Sequence, residues 1–170
     1  YYYPSTNIAT FRYKVVMTNP NFVMTSDTLH YNTKTEIADI VGPTDIIYDQ
    51  ETHIYSEKGW YDTRREYSEL LDNSYIEHQD TKRLTGDSIL YDKPSGFAWA
   101  FQNVELADTL KDVSLFGHYG YYNEITKIGL ATDSAMMIEY SSADTLYLHA
   151  DTLFLSPDST FNVIEAYHNV

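Results

Sequence analysis

The sequence predicts an all-β protein, an elongated folded-over sheet or β-jelly-roll of about ten to twelve antiparallel strands, built from two-strand repeats of about thirty residues. Three observations support this prediction: a short motif recurs five times, residues that favour strands are abundant, and polar turn-like segments separate the strand-like runs. The chain has 17 tyrosines, with many threonines, isoleucines and valines. A single flat sheet of so many strands would curl or fold over, so we expect two packed halves.

The repeat is defined by a polar anchor residue in each of five segments. The anchors lie 30, 30, 31 and 33 residues apart and are Asp27, Glu57, Asp87, His118 and Asp151. The residue three before each anchor is apolar, the residue before it is small, and the residue four after it is bulky. The bulky positions are Tyr31, Tyr61, Tyr91, Tyr122 and Leu155. Such columns are typical of stacked structural units that cover one another's apolar faces.

A second strand follows in each unit. The residue eleven after the anchor is small (Ala38, Ser68, Ala98, Gly129), and the residue nineteen after it is apolar (Ile46, Ile76, Leu106, Met137). Turn-forming residues lie between the two strands, as in the segment 92–96. Residues 63–72 contain several helix formers, but they occupy a strand position of the repeat, so we predict strand or loop there. A further strand is expected around residues 11–17.

Composition limits the classes of function. The net charge is -14 with only 11 lysines and arginines, which argues against nucleic acid as a partner, because phosphate neutralisation needs clustered cations. There is no cysteine and no apolar run of 18 residues, so we expect no disulfide and no membrane-spanning segment. We expect residues 1–170 to form a single domain, a fragment of a larger exported protein, since the first residues resemble neither a start nor a signal peptide.

Catalytic and metal-binding patterns are missing from the sequence. The six histidines are scattered without metal-ligand spacing, so we expect no metal and no other cofactor. The acidic residues recur in each unit, and a general acid and base would be needed once rather than five times. We therefore predict that the protein is not an enzyme.

The segment 84–92, Leu-Thr-Gly-Asp-Ser-Ile-Leu-Tyr-Asp, carries a recognisable motif, and residues 148–151 repeat it with alanine before aspartate. This motif resembles the recurring motif of the OstA/LptA family. That family also has a Gly-Asn-Val turn between strands, and the matching positions here are 42–44, 72–74, 102–104 and 133–135. The resemblance extends from Met24 to Leu155.

The resemblance implies a bent β-jelly-roll with a hydrophobic interior groove. In the family, the groove holds the acyl chains of lipopolysaccharide, and the domains join edge to edge into a bridge toward the outer membrane. It therefore implies a periplasmic location, lipopolysaccharide or another lipid as ligand, and β-jelly-roll domains, either copies of this one or other bridge proteins, as partners.

Ten residues are predicted to line the groove, because they occupy the apolar and tyrosine columns or lie beside them on the same strands. They are Leu29, Tyr31, Ile46, Ile76, Ile89, Tyr91, Leu106, Tyr122, Met137 and Leu153. The tyrosine column has two interpretations, as rungs of a core or as the walls of a ligand groove, and in a narrow two-layer fold the same residues would serve both.

Two other functions stay open at this point. The terminal strands could pair with copies or partners, which would make the chain a structural assembly module. Alternatively, surface tyrosines with Trp60 or Trp99 could bind carbohydrate in an extracellular β-domain.

Overall fold

A computed structural model describes residues 1–140, 145–157 and 162–170, and of residues 162 and 163 only the backbone. The described residues form fourteen strands and no helix, and every strand pair is antiparallel. The strands are β1 (Tyr2–Tyr3), β2 (Ile8–Thr18), β3 (Phe22–Asn32), β4 (Ile37–Ile40), β5 (Thr44–Tyr48), β6 (Thr52–Ser56), β7 (Lys58–Asp62), β8 (Tyr67–His78), β9 (Lys82–Asp92), β10 (Phe97–Asp108), β11 (Val113–Asn123), β12 (Gly129–Glu139), β13 (Leu146–Pro157) and β14 (Asn162–Tyr167).

The long strands bend in their middle. In β8, β10 and β12 two consecutive residues have positive φ, namely 72–73, 102–103 and 133–134, and β2 has the same feature at 13–14. The pairing register shifts at each of these points. Asparagine and aspartate tolerate left-handed backbone better than other non-glycine residues, and irregular pairing bends a strand. Each long strand therefore has two halves that point in different directions.

The bends divide the sheet into two layers. Layer one contains β1, β4, β7, β14 and residues 8–12, 28–32, 67–71, 88–92, 97–101, 119–123, 129–132 and 152–157. Layer two contains β5, β6 and residues 15–18, 22–26, 74–78, 82–86, 104–108, 113–117, 135–139 and 146–150. The layers are joined along the bends, which we call the bent edge. On the opposite side, the open edge, the described connections within each layer are separate hairpin turns.

Contacts between the layers show that they face each other. The ring of Phe22 in layer two lies 5.1 Å from the ring of Tyr61 in layer one, measured between centroids. At the open edge, the Asn21 side chain donates a hydrogen bond of 2.6 Å to the Glu66 carboxylate. A Cβ added to Gly129 would lie 2.5 Å from Leu106 Cδ2 of the other layer, which explains why glycine occupies this position. The predicted folded-over sheet is confirmed.

The structure differs from the prediction in the role of three segments expected to be turns. Segments 72–74, 102–104 and 133–135, predicted as turns between strands, are the bends inside β8, β10 and β12, while 42–44 joins β4 to β5. The strands are consequently about twice as long as expected from average strand lengths. Since β4 and β5 correspond to one bent strand, and β6 and β7 to another, the fourteen described segments form twelve strand paths, within the expected range. Residues 63–72 form a turn and the start of β8, as predicted.

The anchor residues lie at the bent edge. Four of the five anchors are exposed there, namely Asp27, Asp87, His118 and Asp151. They lie beside the points where the pairing of neighbouring strands is irregular, or beside the C-terminal residues. The amide of Asn103 donates to both carboxylate oxygens of Asp87 at 3.0 Å. The polar anchor column therefore marks the position where the sheet folds, and the small residue before each anchor faces inward.

Candidate functional site

The ten residues predicted to line a groove all lie between the two layers. Six of them belong to layer one and four to layer two. The layer-one residues are Leu29, Tyr31, Ile89, Tyr91, Tyr122 and Leu153, and the layer-two residues are Ile46, Ile76, Leu106 and Met137. The structure thus brings all ten into one continuous interior that runs along the stack of strands. Tyr31 is half-buried, and its hydroxyl lies 3.4 Å from the hydroxyl of Thr63.

The interior is filled by its own side chains in this conformation. Apart from Tyr31, the predicted lining residues are at most 6% exposed. They pack with Met24, Ile54 and Leu84, the apolar residues three positions before their anchors. A ligand could occupy this interior by replacing these side-chain contacts.

Tyrosine hydroxyl groups make the interior less apolar than the residue columns suggest. Tyr48 and Tyr61 form a hydrogen bond with each other across the layers, and burial raises the pKa of both. Within the described part of the chain, the buried hydroxyls of Tyr91 and Tyr122 have no hydrogen-bond partner. Burial and then the nearby Glu124 carboxylate raise the pKa of Tyr91, while burial followed by Asp108 raises that of Tyr122. Each of these tyrosines is therefore protonated at neutral pH.

A polar network crosses the open edge near its middle. The Glu124 carboxylate accepts hydrogen bonds from Thr52 Oγ1 at 3.0 Å and Lys93 Nζ at 2.7 Å, and it lies 3.4 Å from His78 Nδ1. On the other side of the imidazole, Nε2 lies 2.7 Å from Lys127 Nζ. Lys93, Glu124 and Lys127 come from layer one, whereas Thr52 and His78 come from layer two. We call these five residues the cross-layer network, because they join the two layers where no backbone does.

The network determines the charge state of Glu124. Burial alone would raise the pKa of this carboxyl, but hydrogen bonds from His78, Lys93 and Thr52 outweigh burial and lower its pKa to about 2. Glu124 is only 9% exposed, so its charge depends on these partners. The carboxylate is thus a fixed negative group between cations and a histidine.

Sequence reasoning missed the cross-layer network. Its members sit in or beside hairpin turns and occur once each, so the repeat gives no signal for them. In the sequence, His78 is one of six scattered histidines, and Glu124 belongs to a turn-like segment. Only the topology, which places the turns of the two layers opposite each other, brings them together.

Two strand edges have no pairing partner among the described strands. β1 pairs only with the first residues of β2, so the remainder of β2 has a free edge beside the exposed side chains of Phe11, Tyr13 and Val16. A groove of about 570 Å³ runs along this edge, where Phe11 and Val15 contribute apolar walls. At the other end, β14 pairs with residues 152–157 of β13, and no described strand pairs with residues 146–150 on that side.

The two tryptophans lie on the outer face of layer one, away from the interior. Trp60 donates a hydrogen bond of 2.8 Å from Nε1 to Glu69, and Trp99 stacks on Phe97 with 5.1 Å between ring centroids. Both are half-buried by these neighbours. Carbohydrate binding stays a prediction for this face.

Within the described ranges, no group of three or more histidines and carboxylates has an arrangement suited to a metal ion. The same part of the chain contains no helix long and apolar enough to cross a membrane.

Comparison with known proteins indicates which family the chain resembles. A search of curated proteins found no match. Among solved structures, the chain is similar to LptH, described as the LptA homologous periplasmic component of the conserved lipopolysaccharide transport device from Pseudomonas aeruginosa, with 12% identity, 85% of each chain covered and a TM-score of 0.33. A family model described as OstA-like protein matches residues 1–69. This match confirms the predicted resemblance to the OstA-like family over residues 1–69, which form an OstA-like segment.

Proposed function

We propose that this chain is a non-enzymatic periplasmic domain that binds the acyl chains of lipopolysaccharide and forms part of a bridge toward the outer membrane. The observation that carries the proposal is the continuous apolar interior between two layers that are joined covalently along one edge only. The OstA-like segment at residues 1–69 supports the same function.

Binding would proceed by separation of the layers at the open edge. The bends, with their paired positive-φ residues, are the part of each strand where regular pairing is already interrupted, so rotation there breaks few hydrogen bonds. Acyl chains would then pack against the inner face of each layer in place of the side chains of the opposite layer. Since burial of apolar surface is non-directional, a lipid chain substitutes for side chains without a specific geometry.

The proposal is tested by site-specific photocrosslinking to lipopolysaccharide in cells. A photoreactive residue at Ile89 or Leu106 faces the interior, while one at Leu90 or Glu105 on the same strand faces outward and serves as the matched control. Adducts from the inward positions and none from the outward positions are expected. If Leu29, Ile89 and Leu106 all give no adduct while the variants remain folded, lipid binding in the interior is excluded.

A second candidate function, assembly through strand pairing, is favoured by the free edge of β2. An unpaired strand edge with exposed apolar side chains is a template for pairing with another chain. Val16 lies on this edge and is 62% exposed, whereas Val41, at 48%, lies in the connection between β4 and β5. Sedimentation velocity should show oligomers that increase with concentration, that are lost in Val16→Lys and that persist in Val41→Lys. A chain that is monomeric at all concentrations would rule out self-assembly.

A further inference from the structure

Apart from the groove along β2, a pocket lies at the open edge, toward the C-terminal end of the stack. Its volume is about 250 Å³, and its rim consists of turn residues from layer two and Lys127 from layer one. Tyr122, Leu155 and Leu110 supply its apolar surface, and the first two belong to the interior core. The pocket is therefore a place where the apolar interior meets solvent.

Cations are concentrated here although the chain is acidic. Lys82, Lys111 and Lys127 line the pocket together with His78, and Lys93 lies beside them in the cross-layer network. These are four of the 11 lysines and arginines in a chain with a net charge of -14. Such a concentration is unexpected for a surface whose only role is solubility.

Two of these lysines form no ion pair with a carboxylate of the described residues. Lys82 pairs with Asp108, and Lys93 pairs with Glu124. Among the residues that the structure describes, neither Lys111 nor Lys127 forms an ion pair with a carboxylate. Lys127 instead contacts His78; burial lowers its pKa, while the Glu124 and Glu51 carboxylates nearby raise it. An anion in the pocket would give both lysines a directly paired negative charge.

The Tyr122 hydroxyl is a second, independent indication of a ligand. Tyr122 lines the pocket and is only 5% exposed, and its hydroxyl has no hydrogen-bond partner among the residues that the structure describes. Buried hydroxyls are nearly always hydrogen-bonded, so an unpaired one indicates a partner that is missing. A ligand oxygen would accept its hydrogen bond.

We propose that this pocket binds a phosphate-type oxyanion, either as the free ion or as the phosphomonoester headgroup of an amphiphile. Lys111 and Lys127 would neutralise the charge, as lysine ammonium groups commonly do for phosphate, and Tyr122 would donate to one oxygen. The amphiphile form rests on the proposed function, because its chain would follow Tyr122 and Leu155 into the interior. The pocket would then orient a bound lipid with its charged end at the open edge.

The test is titration of the full chain, followed by calorimetry and by amide chemical shifts. The probes are inorganic phosphate, dihexanoyl phosphatidic acid and, as a control of equal chain length without a monoester, dihexanoyl phosphatidylcholine. The double variant Lys111→Gln/Lys127→Gln is compared with Lys34→Gln/Lys58→Gln, which removes the same charge from exposed positions far from the pocket. The first should weaken binding of phosphate or phosphatidic acid about tenfold or more, and the second less than about twofold.

The three probes distinguish a site for the free anion from a site for a lipid headgroup. Binding of both phosphate and phosphatidic acid supports an anion site as such, and binding of phosphatidic acid alone supports a headgroup site. Tyr122→Phe, which keeps the ring, should weaken binding about threefold. Equal effects of the two double variants, shift changes away from the pocket, or no binding by either phosphate probe would overturn the proposal. If lipopolysaccharide crosslinks to the interior but neither phosphate probe binds, the phosphate site is refuted and the proposed function is not. If phosphate binds but no interior crosslink forms, the proposed function is refuted and the phosphate site is not.

Discussion

At the scale of single residues, the repeat predicts which side chains face inward. It gives no information about residues that occur in only one repeat unit. Ile89 and Leu106 follow from columns shared by several units, since each unit must bury an apolar face against its neighbours. Glu124 and His78 have no counterpart in the other units. Their roles come from their positions in turns that face each other across the open edge, which a linear pattern does not encode.

Glu124 provides a prediction about stability and pH. Its folded-state pKa is depressed from 4.5 to about 2, so it stabilises the fold above its ordinary pKa, and this contribution is lost as the pH falls from about 4.5 toward 2. Glu124→Gln should lower the free energy of unfolding by about 2 kcal/mol at neutral pH, because it removes charged hydrogen bonds of a buried group. Urea denaturation at pH 7 and pH 3 measures this loss, which should shrink at the lower pH.

Asp80→Asn is the matched control for this experiment. It removes the same charge from an exposed turn residue whose positive φ suits asparagine equally well. Its effect on the free energy of unfolding should stay within about 0.5 kcal/mol. Equal losses for the two variants would show that the cross-layer network contributes nothing specific.

At the scale of elements, the bends are the feature that sequence reasoning misassigned. Segments such as 102–104 contain the asparagine expected of turns, and the sequence does not distinguish a turn that reverses the chain from a bend that redirects a strand. The difference lies in the pairing of neighbours, because both adjacent strands continue past the bend of β10. The real hairpin turns, at positions such as 92–96, are predicted correctly from the same residue types.

Gln102 tests the backbone requirement of a bend. Its φ is 57°, and its side chain is exposed. Left-handed backbone costs an L-residue about 1–2 kcal/mol, and a β-branched side chain suffers most. Gln102→Val should therefore lower the free energy of unfolding by about 1 kcal/mol, and Gln102→Gly should leave it unchanged or raise it, as measured by urea denaturation.

A control for the valine substitution lies in regular strand. Thr85→Val, in β9 on the outer face of layer two, should cost less than about 0.5 kcal/mol, since valine suits a strand. If Gln102→Val proves as harmless as Thr85→Val, the bend does not depend on left-handed backbone at this position.

At the scale of the whole molecule, the same architecture explains stability and proposed function. One edge of the two-layer stack is continuous backbone, and the other is held by side chains such as those of Asn21 and Glu66 together with the cross-layer network. The interior between them is filled by its own side chains and meets solvent at the pocket lined by Tyr122 and Leu155. The central claim is that lipid enters this interior by opening of that second edge.

The most direct test closes the open edge chemically. The chain has no cysteine, so Asn21→Cys and Glu66→Cys, whose native side chains touch across the edge, introduce a unique pair for a short bismaleimide crosslinker. Purified protein carrying a photoreactive residue at Ile89 is then exposed to lipopolysaccharide with and without the crosslinker. Adduct formation should fall to background in the crosslinked protein and persist when each cysteine is blocked singly. Equal adduct formation in the crosslinked and singly blocked proteins would contradict entry through the open edge.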